Sequence, residues 1–360
     1  MKRKKAALYD PYLNTLGGGE KHILSLLKVL EDNGIETNIF WDDNLCSEIK
    51  NYLGMKFDKI NFLPNIFKKK GLFKKIGVLK NFDYFFYVPD GSYFFSSAKK
   101  NFIFAMVPKK NLYPIGPLSR LKAFNYKIIS NSSFTQKKLS DWDIDSELIY
   151  PFIDQRLIDL KLSCLKKENI ILSVGRFFSH LHSKRQDLMI KTFQRLKTKD
   201  RRLADFRLIL AGGLKKEDED YFNNLKKVIG DDRQIVLKPN IDLDNLYDLY
   251  ARSRFYWHFA GYGIDDRKNP ELVEHLGISP IEAMASGNVV FCYKAGGPKE
   301  IVVDQKNGFL FENEEQLLNA MVLCLTDDNA VSKITNQAKR LACADFSYNN
   351  FKKKVEEVVL

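Results

Sequence analysis

Short apolar runs of β character alternate with helix-patterned spacers along most of this chain, and that alternation constrains the fold more than any other feature. In the second half the runs are IILSVG (170–175), FRLILAG (206–212), QIVLKP (234–239), FYWHF (255–259) and NVVFCY (288–293). The spacers, such as RQDLMIKTFQRL and LDNLYDLYARS, carry apolar residues at i, i+3 and i+4 and are long enough for a crossover helix. Such runs belong in a buried parallel sheet with helices on both faces. The first half opens the same way, with AALY (6–9), a glycine-rich loop, a helix from about Glu20 to Leu30 and TNIFW (37–41). Further strands are expected at FDYFFYV, NFIFAMV, YKIIS and SELIY, with the helix SSFTQKKLSDW between the last two.

With 360 residues, 45% of them hydrophobic, the chain has enough material for two domains at ~100–200 residues each. Segment 151–169 lacks either clean periodicity and turns charged, so the junction is placed there. Cys46, Cys164, Cys292, Cys324 and Cys343 form no C-x-x-C pair, which argues against a zinc site and a disulfide framework and for a reducing compartment. The start, MKRKKAALYDPYL, lacks the apolar stretch of a signal peptide. No run approaches the ~20 apolar residues that span a bilayer. The expectation is a cytoplasmic protein whose membrane contact, if any, is peripheral. Lys+Arg exceeds Asp+Glu by 57 − 45 = 12, which favours acidic partners.

Three stretches carry chemistry. In LGGGEKH, Gly17, Gly18 and Gly19 open a helix, where backbone N–H groups and the helix dipole can face an anion; a plain flexible turn would use the same glycines. In SVGRFFSHLHSKRQD, Gly175 permits a tight turn at a strand's carboxyl end, and Arg176, Lys184 and Arg185 supply cations suited to a diphosphate. A solvated charged loop accounts for that stretch equally well. ELVEHLGISPIEAMASG is the most specific: Glu274 precedes a turn at Gly277, Ser279-Pro280 suits a helix start, and Glu282 falls one turn inside. Backbone donors of Gly277, Ile278 and Ser279 would face an anion between the two carboxylates.

Lesser signals accompany them. AGGPKEIV makes another tight turn, and His258 lies at the carboxyl end of the strand FYWHF, facing the donor cleft or sitting satisfied in the core or at an edge. The D-W-D-I-D run at Asp141 to Asp145 imitates a metal motif but sits between a helix and a strand, as a solvated loop would. From Lys59 to Phe82 there are seven lysines and no carboxylate, interleaved with Phe67, Leu72, Phe73, Ile76 and Leu79. Lys68, Lys69, Lys70, Lys74 and Lys75 are therefore expected to contact an anionic membrane surface, against the alternative of an ordinary solvated helix. No nucleic-acid-binding module accompanies them, so nucleic acid is not an expected partner.

The order G-G-G-E, then G-R…K, then E-x7-E within EHLGISPIEAMASG, then A-G-G-P-K-E-I-V resembles the retaining glycosyltransferases of family 4, which have the GT-B fold. The resemblance covers nearly the whole chain and is strongest from Glu168 to Phe311. EHLGISPIEAMASG with AGGPKEIV looks most like the dolichol-pathway α-1,2-mannosyltransferases and their bacterial relatives. The resemblance implies two Rossmann-like domains facing each other across a cleft, 1–152 on the acceptor side and 153–345 on the donor side, with the final helix 346–360 packing back on the first. It implies a nucleotide-sugar substrate, GDP-mannose or a UDP-sugar, and a hydroxyl acceptor on a saccharide or lipid-linked saccharide, for cell-surface glycan or glycolipid assembly on the cytoplasmic membrane face.

Carried over by residue, Arg176 and Lys184 neutralise the diphosphate, Glu282 holds the ribose hydroxyls, and Glu274 lies beside the transferred sugar. Gly277, Ile278 and Ser279 offer N–H groups to sugar or phosphate, and Gly18 and Gly19 close on the diphosphate from the first domain. A cation–anion pair at ~4 Å and an effective dielectric near 20 is worth roughly 4 kcal/mol. Two such cations can stand in for a metal, so neither metal nor other cofactor is expected. One departure is that FIFAMVPKK carries Met106 or a neighbour where many relatives have a histidine near the reacting sugar. Two other classes stay open: a nucleotide-sugar epimerase of the same architecture, and a catalytically inactive protein that binds membrane surfaces.

Overall fold

The structure, a computed structural model, describes residues 3–68, 71–159, 167–180 and 183–360. The chain forms two compact units, Met1–Pro151 with Phe351–Leu360, and Phe152–Asn350.

In the first unit β1 (Lys5–Tyr9), β2 (Glu36–Phe40), β3 (Ile60–Leu63), β4 (Tyr84–Tyr87), β5 (Lys100–Ala105), β6 (Tyr126–Ser130) and β7 (Glu147–Leu148) lie in the order β3-β2-β1-β4-β5-β6-β7. Every pairing is parallel; Leu8, for instance, is in register with Ile39 on one side and Phe86 on the other. The strands are apolar on both faces because helices cover both, which removes the alternation an exposed sheet would show. The chain builds outward from β1 to β3, then restarts across β1 with β4. The carboxyl ends of β1 and β4 are therefore a topological switch point, where open α/β sheets hold ligands.

The second unit repeats the plan with β8 (Glu168–Val174), β9 (Arg207–Gly212), β10 (Ile235–Pro239), β11 (Ser253–His258), β12 (Val289–Tyr293) and β13 (Phe309–Phe311), all parallel, in the order β10-β9-β8-β11-β12-β13. Here the switch point lies between β8 and β11. Phe193, Phe206, Phe255, Trp257, Phe291 and Phe309 fill the core under it.

Two strands were not expected from sequence. β3 is a half-buried edge strand of four residues that runs into the lysine-rich segment, and β13 is an edge strand of three. Neither is long enough to display a period. The helix from Tyr348 to Val359 carries its last residues into the first unit, where Phe351 meets the His22 ring at 5.7 Å and Lys100 Nζ donates to the Val359 carbonyl at 3.0 Å.

In the lysine-rich segment Phe67 and Leu79 turn inward, while the side chains of Leu72 and Phe73 lie outside the described ones. Phe67 stacks on Tyr9 at 4.1 Å, Leu79 is fully buried, and Lys75 lies over the Phe67 and Phe94 rings at 5.4 and 5.1 Å. Lys68 pairs with Asp42 at 2.6 Å and Lys74 is exposed, while Lys69 and Lys70 lie outside the described residues. In the D-W-D-I-D loop Asp141 sits 3.7 Å from Lys138. Among the described residues no three metal-ligating side chains converge, and no helix is long and apolar enough to cross a membrane.

Candidate functional site

Strand β8 ends at Val174, and the next residues build one wall of the site. Gly175 is required there because a Cβ would fall 2.5 Å from Lys184 Cγ: the lysine stem lies directly across the glycine. This contact brings a side chain nine residues later back over the strand end. Arg176 rests its guanidinium on the Phe178 ring at 4.5 Å and enters no ion pair among the described residues. Arg185 turns away, in left-handed backbone at φ 55, to pair with Asp187 at 3.3 Å. Of the three cations expected at this strand end, Arg185 is thus engaged locally.

Lys184 reaches Glu274, and the two form a short ion pair with both side chains only 14% exposed. His258, the last residue of β11, brings Nε2 to 3.1 Å from the same carboxylate oxygen, in polar contact but not aligned for a full hydrogen bond. Burial holds its imidazole below the usual range, against the pull of Glu274 and helped by the Lys184 charge, so the ring is neutral. Residues 184, 258 and 274, distant in sequence, thus form one cluster at the switch point.

The helix Ile278–Ala285 begins one residue before the Ser279-Pro280 pair that announces it. Gly277 caps it in left-handed backbone at φ 99, which a side chain would strain. The first-turn N–H groups have no carbonyl inside the helix to bond. Ser279 spends its hydroxyl on the Val174 carbonyl at 3.2 Å, which ties the helix to the end of β8. Glu282 receives the Tyr250 hydroxyl at 2.9 Å, and burial, with Glu282 close by, drives that phenol's pKa well above its ordinary value.

The turn in AGGPKEIV grips the loop carrying Glu274. Gly297 N–H donates to the Glu274 carbonyl at 2.7 Å. A Cβ on Gly296 would lie 2.2 Å from that carbonyl oxygen, and one on Gly297 2.4 Å from the His275 carbonyl. Asp266, which sequence reasoning missed, accepts from Gly296 N–H at 2.7 Å and pairs with Lys299. Nothing in IDDRKNP distinguishes it from a solvated loop residue.

In the first unit, Gly17 caps the helix Gly18–Asp32, and its N–H donates to Glu20 Oε2 at 2.7 Å. A Cβ at Gly19 would fall 2.5 Å from Met106 Sδ, so the residue just past β5 lies on the glycine turn. The preceding loop contains Leu16 at φ 47 and starts at Asp10, just after β1, whose Oδ1 accepts from Tyr12 N–H at 2.8 Å. Asp10 is wholly buried and its Oδ2 has no hydrogen-bond partner. Burial, with Glu20 adding repulsion, raises its carboxyl to about 8, so at neutral pH it carries a proton. The pattern DPYL gave no sign of this. His22 is enclosed between Phe104 and Phe351, and burial lowers it to about 3, so it is a neutral core residue.

The family described as "Glycosyl transferases group 1" matches residues 155–341. The chain is 30% identical over 215 residues to the GDP-Man:Man(3)GlcNAc(2)-PP-Dol alpha-1,2-mannosyltransferase of Mus musculus, covering 55% of this chain and 41% of that protein. To its Xenopus tropicalis counterpart it is 31% identical, with coverages of 62% and 46%. It therefore spans less than half the length of these curated relatives. Among solved structures, a glycosyltransferase from Rickettsia africae superimposes with a TM-score of 0.74 at 18% identity, covering 99% and 98% of the two chains. Anabaena Alr3699/HepE, solved with UDP and glucose, gives 0.73 at 16% with 99% of each chain covered. The architecture is the GT-B fold of these glycosyltransferases, and the chain belongs to the glycosyl transferases group 1 family.

Proposed function

We propose that this chain is a retaining glycosyltransferase of family 4, independent of metal, that moves a hexosyl group from a nucleotide-sugar to a hydroxyl of a saccharide or lipid-linked saccharide. The observation that carries this reading is the Lys184–Glu274–His258 cluster at the switch point, beside the amino terminus of the Ile278–Ala285 helix. A cation, a carboxylate and helix N–H groups in one place match a sugar diphosphate, which presents two phosphates and a carbon that becomes positive as the bond breaks. The mannosyltransferase relatives favour GDP-mannose as donor; a UDP-sugar is the second choice.

In the proposed reaction Lys184 and Arg176 neutralise the diphosphate, and the N–H groups of Gly277, Ile278 and Ser279 share its charge or hold the sugar. Gly18 and Gly19 offer further N–H groups to the anion. Glu282, oriented by Tyr250, accepts from the ribose hydroxyls. The anomeric C–O bond to phosphate breaks while the acceptor oxygen bonds to the same carbon on the same face. The acceptor's proton passes to the departing phosphate oxygen. Glu274 steadies the positive sugar, and neutral His258 beside it keeps a second cation from competing for that carboxylate.

A thermal-shift panel of GDP-, UDP-, ADP- and dTDP-sugars tests the reading, since a bound donor raises stability by RT ln(1 + [L]/Kd). One class of donor is expected to stabilise the chain, and Lys184→Ala to remove most of that shift. Transfer that needs added divalent metal overturns the metal-independent assignment, and donor conversion without any acceptor favours the epimerase.

A further inference from the structure

Apart from the lysine-rich segment 59–82, the first unit has a second basic stretch, and there the structure turns large apolar side chains outward. Leu118, Leu121 and Phe124 are 72%, 67% and 67% exposed, and Phe95, itself 37% exposed, stacks on Phe124 at 5.6 Å. Leu118 and Leu121 share a side of the short helix Pro117–Lys122, which buries none of its residues. Large apolar side chains gathered this way on a surface mark a contact site.

Charge says which contact. From Gly91 to Ser140 the chain has nine cations and no carboxylate. Arg120, Lys122 and Lys127 are exposed and enter no ion pair among the described residues. Asp143, Asp145 and Glu147 line a cavity with Arg120 and Lys127 and temper them, whereas the depression that Lys122 shares with Leu118, Pro117 and Tyr93 contains no carboxylate. Unpaired cations around apolar side chains fit a surface that is anionic outside and hydrocarbon beneath. A second copy of the chain would bring like charge against like.

We propose that Leu118, Leu121 and Phe124, framed by Arg120, Lys122 and Lys127, seat this chain on an anionic lipid bilayer. This goes beyond the transfer reading and does not depend on it. In the segment around Lys68 to Lys75, the neighbouring Phe67 and Leu79 are committed to the core. Both ingredients are needed, because neither weak insertion nor charge alone anchors stably.

The test is co-sedimentation of the full chain with phosphatidylcholine vesicles, with and without about a quarter phosphatidylglycerol. The parent is expected to bind the anionic vesicles, to release as salt rises, and to ignore pure phosphatidylcholine. Leu118→Ser with Leu121→Ser and Phe124→Ser should weaken binding roughly tenfold or more. Arg120→Gln with Lys122→Gln and Lys127→Gln should weaken it roughly a hundredfold at low salt. In case the multiple variants fold poorly, Leu121→Trp alone should blue-shift its emission on anionic vesicles. No binding by the parent, equal binding by a well-folded apolar variant, an unshifted tryptophan, or self-association abolished by the same substitutions would each overturn the proposal. Donor thermal shifts on the same variants separate its failure from failure of the transfer reading.

Discussion

Lys184 and Glu274 neutralise each other, so a diphosphate that engages the lysine competes with the carboxylate for it. Glu274→Gln should therefore have two opposite effects. Nucleoside diphosphate should bind equally or slightly more tightly, because Lys184 has lost its competitor, while kcat falls on the order of 10²–10³, as when a group acting mainly on the transition state is removed. Titration and steady-state kinetics of one variant check both, and near-parental turnover would remove Glu274 from the mechanism. Asp10 gives a second prediction. Its carboxyl titrates near 3.8 when unfolded and near 8 when folded, so the folded state holds the extra proton. The stability this confers is complete below about pH 4 and is lost as pH rises through 8, by up to ~1.4 kcal/mol per pH unit. Asp10→Asn keeps an acceptor for Tyr12 N–H and cannot ionise, so the variant should gain on the parent in melting temperature between pH 5 and 9. A constant difference would mean that Asp10 is ionised throughout.

Most of the elements were legible because the inner strands of the two sheets are apolar runs of several residues bounded by polar turns, unlike the short edge strands β3 and β13. Lys184, His258 and Glu274 were legible singly because each falls at or after a strand's carboxyl end. Their union was not, since Lys184 and Glu274 are 90 residues apart and no local pattern specifies that pairing. The same holds for Met106 on Gly19 and for Asp266 under the glycine turn. The role of AGGP was also hidden: what reads as a loop is a clamp on the backbone of residues 274–276. Gly297→Ala tests the clamp. Its backbone, at φ −59, accepts alanine, but the new methyl meets the His275 carbonyl and Leu276 Cα at 2.4 Å, and backbone yields poorly. A loss of about 1–3 kcal/mol is expected, with a fall in kcat as the Glu274 loop shifts. Gly213→Ala, whose methyl would find its nearest neighbour at 3.6 Å, is the control that should leave both unchanged.

At the scale of the whole molecule, the first unit is discontinuous in sequence. Phe351, Val355 and Val359 are buried, and Phe351 closes over His22. Phe351→Ala should cost about 3–5 kcal/mol, as for a large side chain removed from a core. Calorimetry should show the loss in the transition of the first unit while the second keeps its own, and a single transition shifted as a whole would mean the units melt together. This arrangement also bears on how the protein is made. The residues that complete the first unit leave the ribosome only after the second unit, about 200 residues, has been synthesised. At ~5–20 residues per second the nascent chain carries an open apolar seam at His22 and Phe104 for roughly 10–40 s. A chaperone that covers this seam should therefore raise the yield of folded chain, and slowed translation through the second unit should lower it.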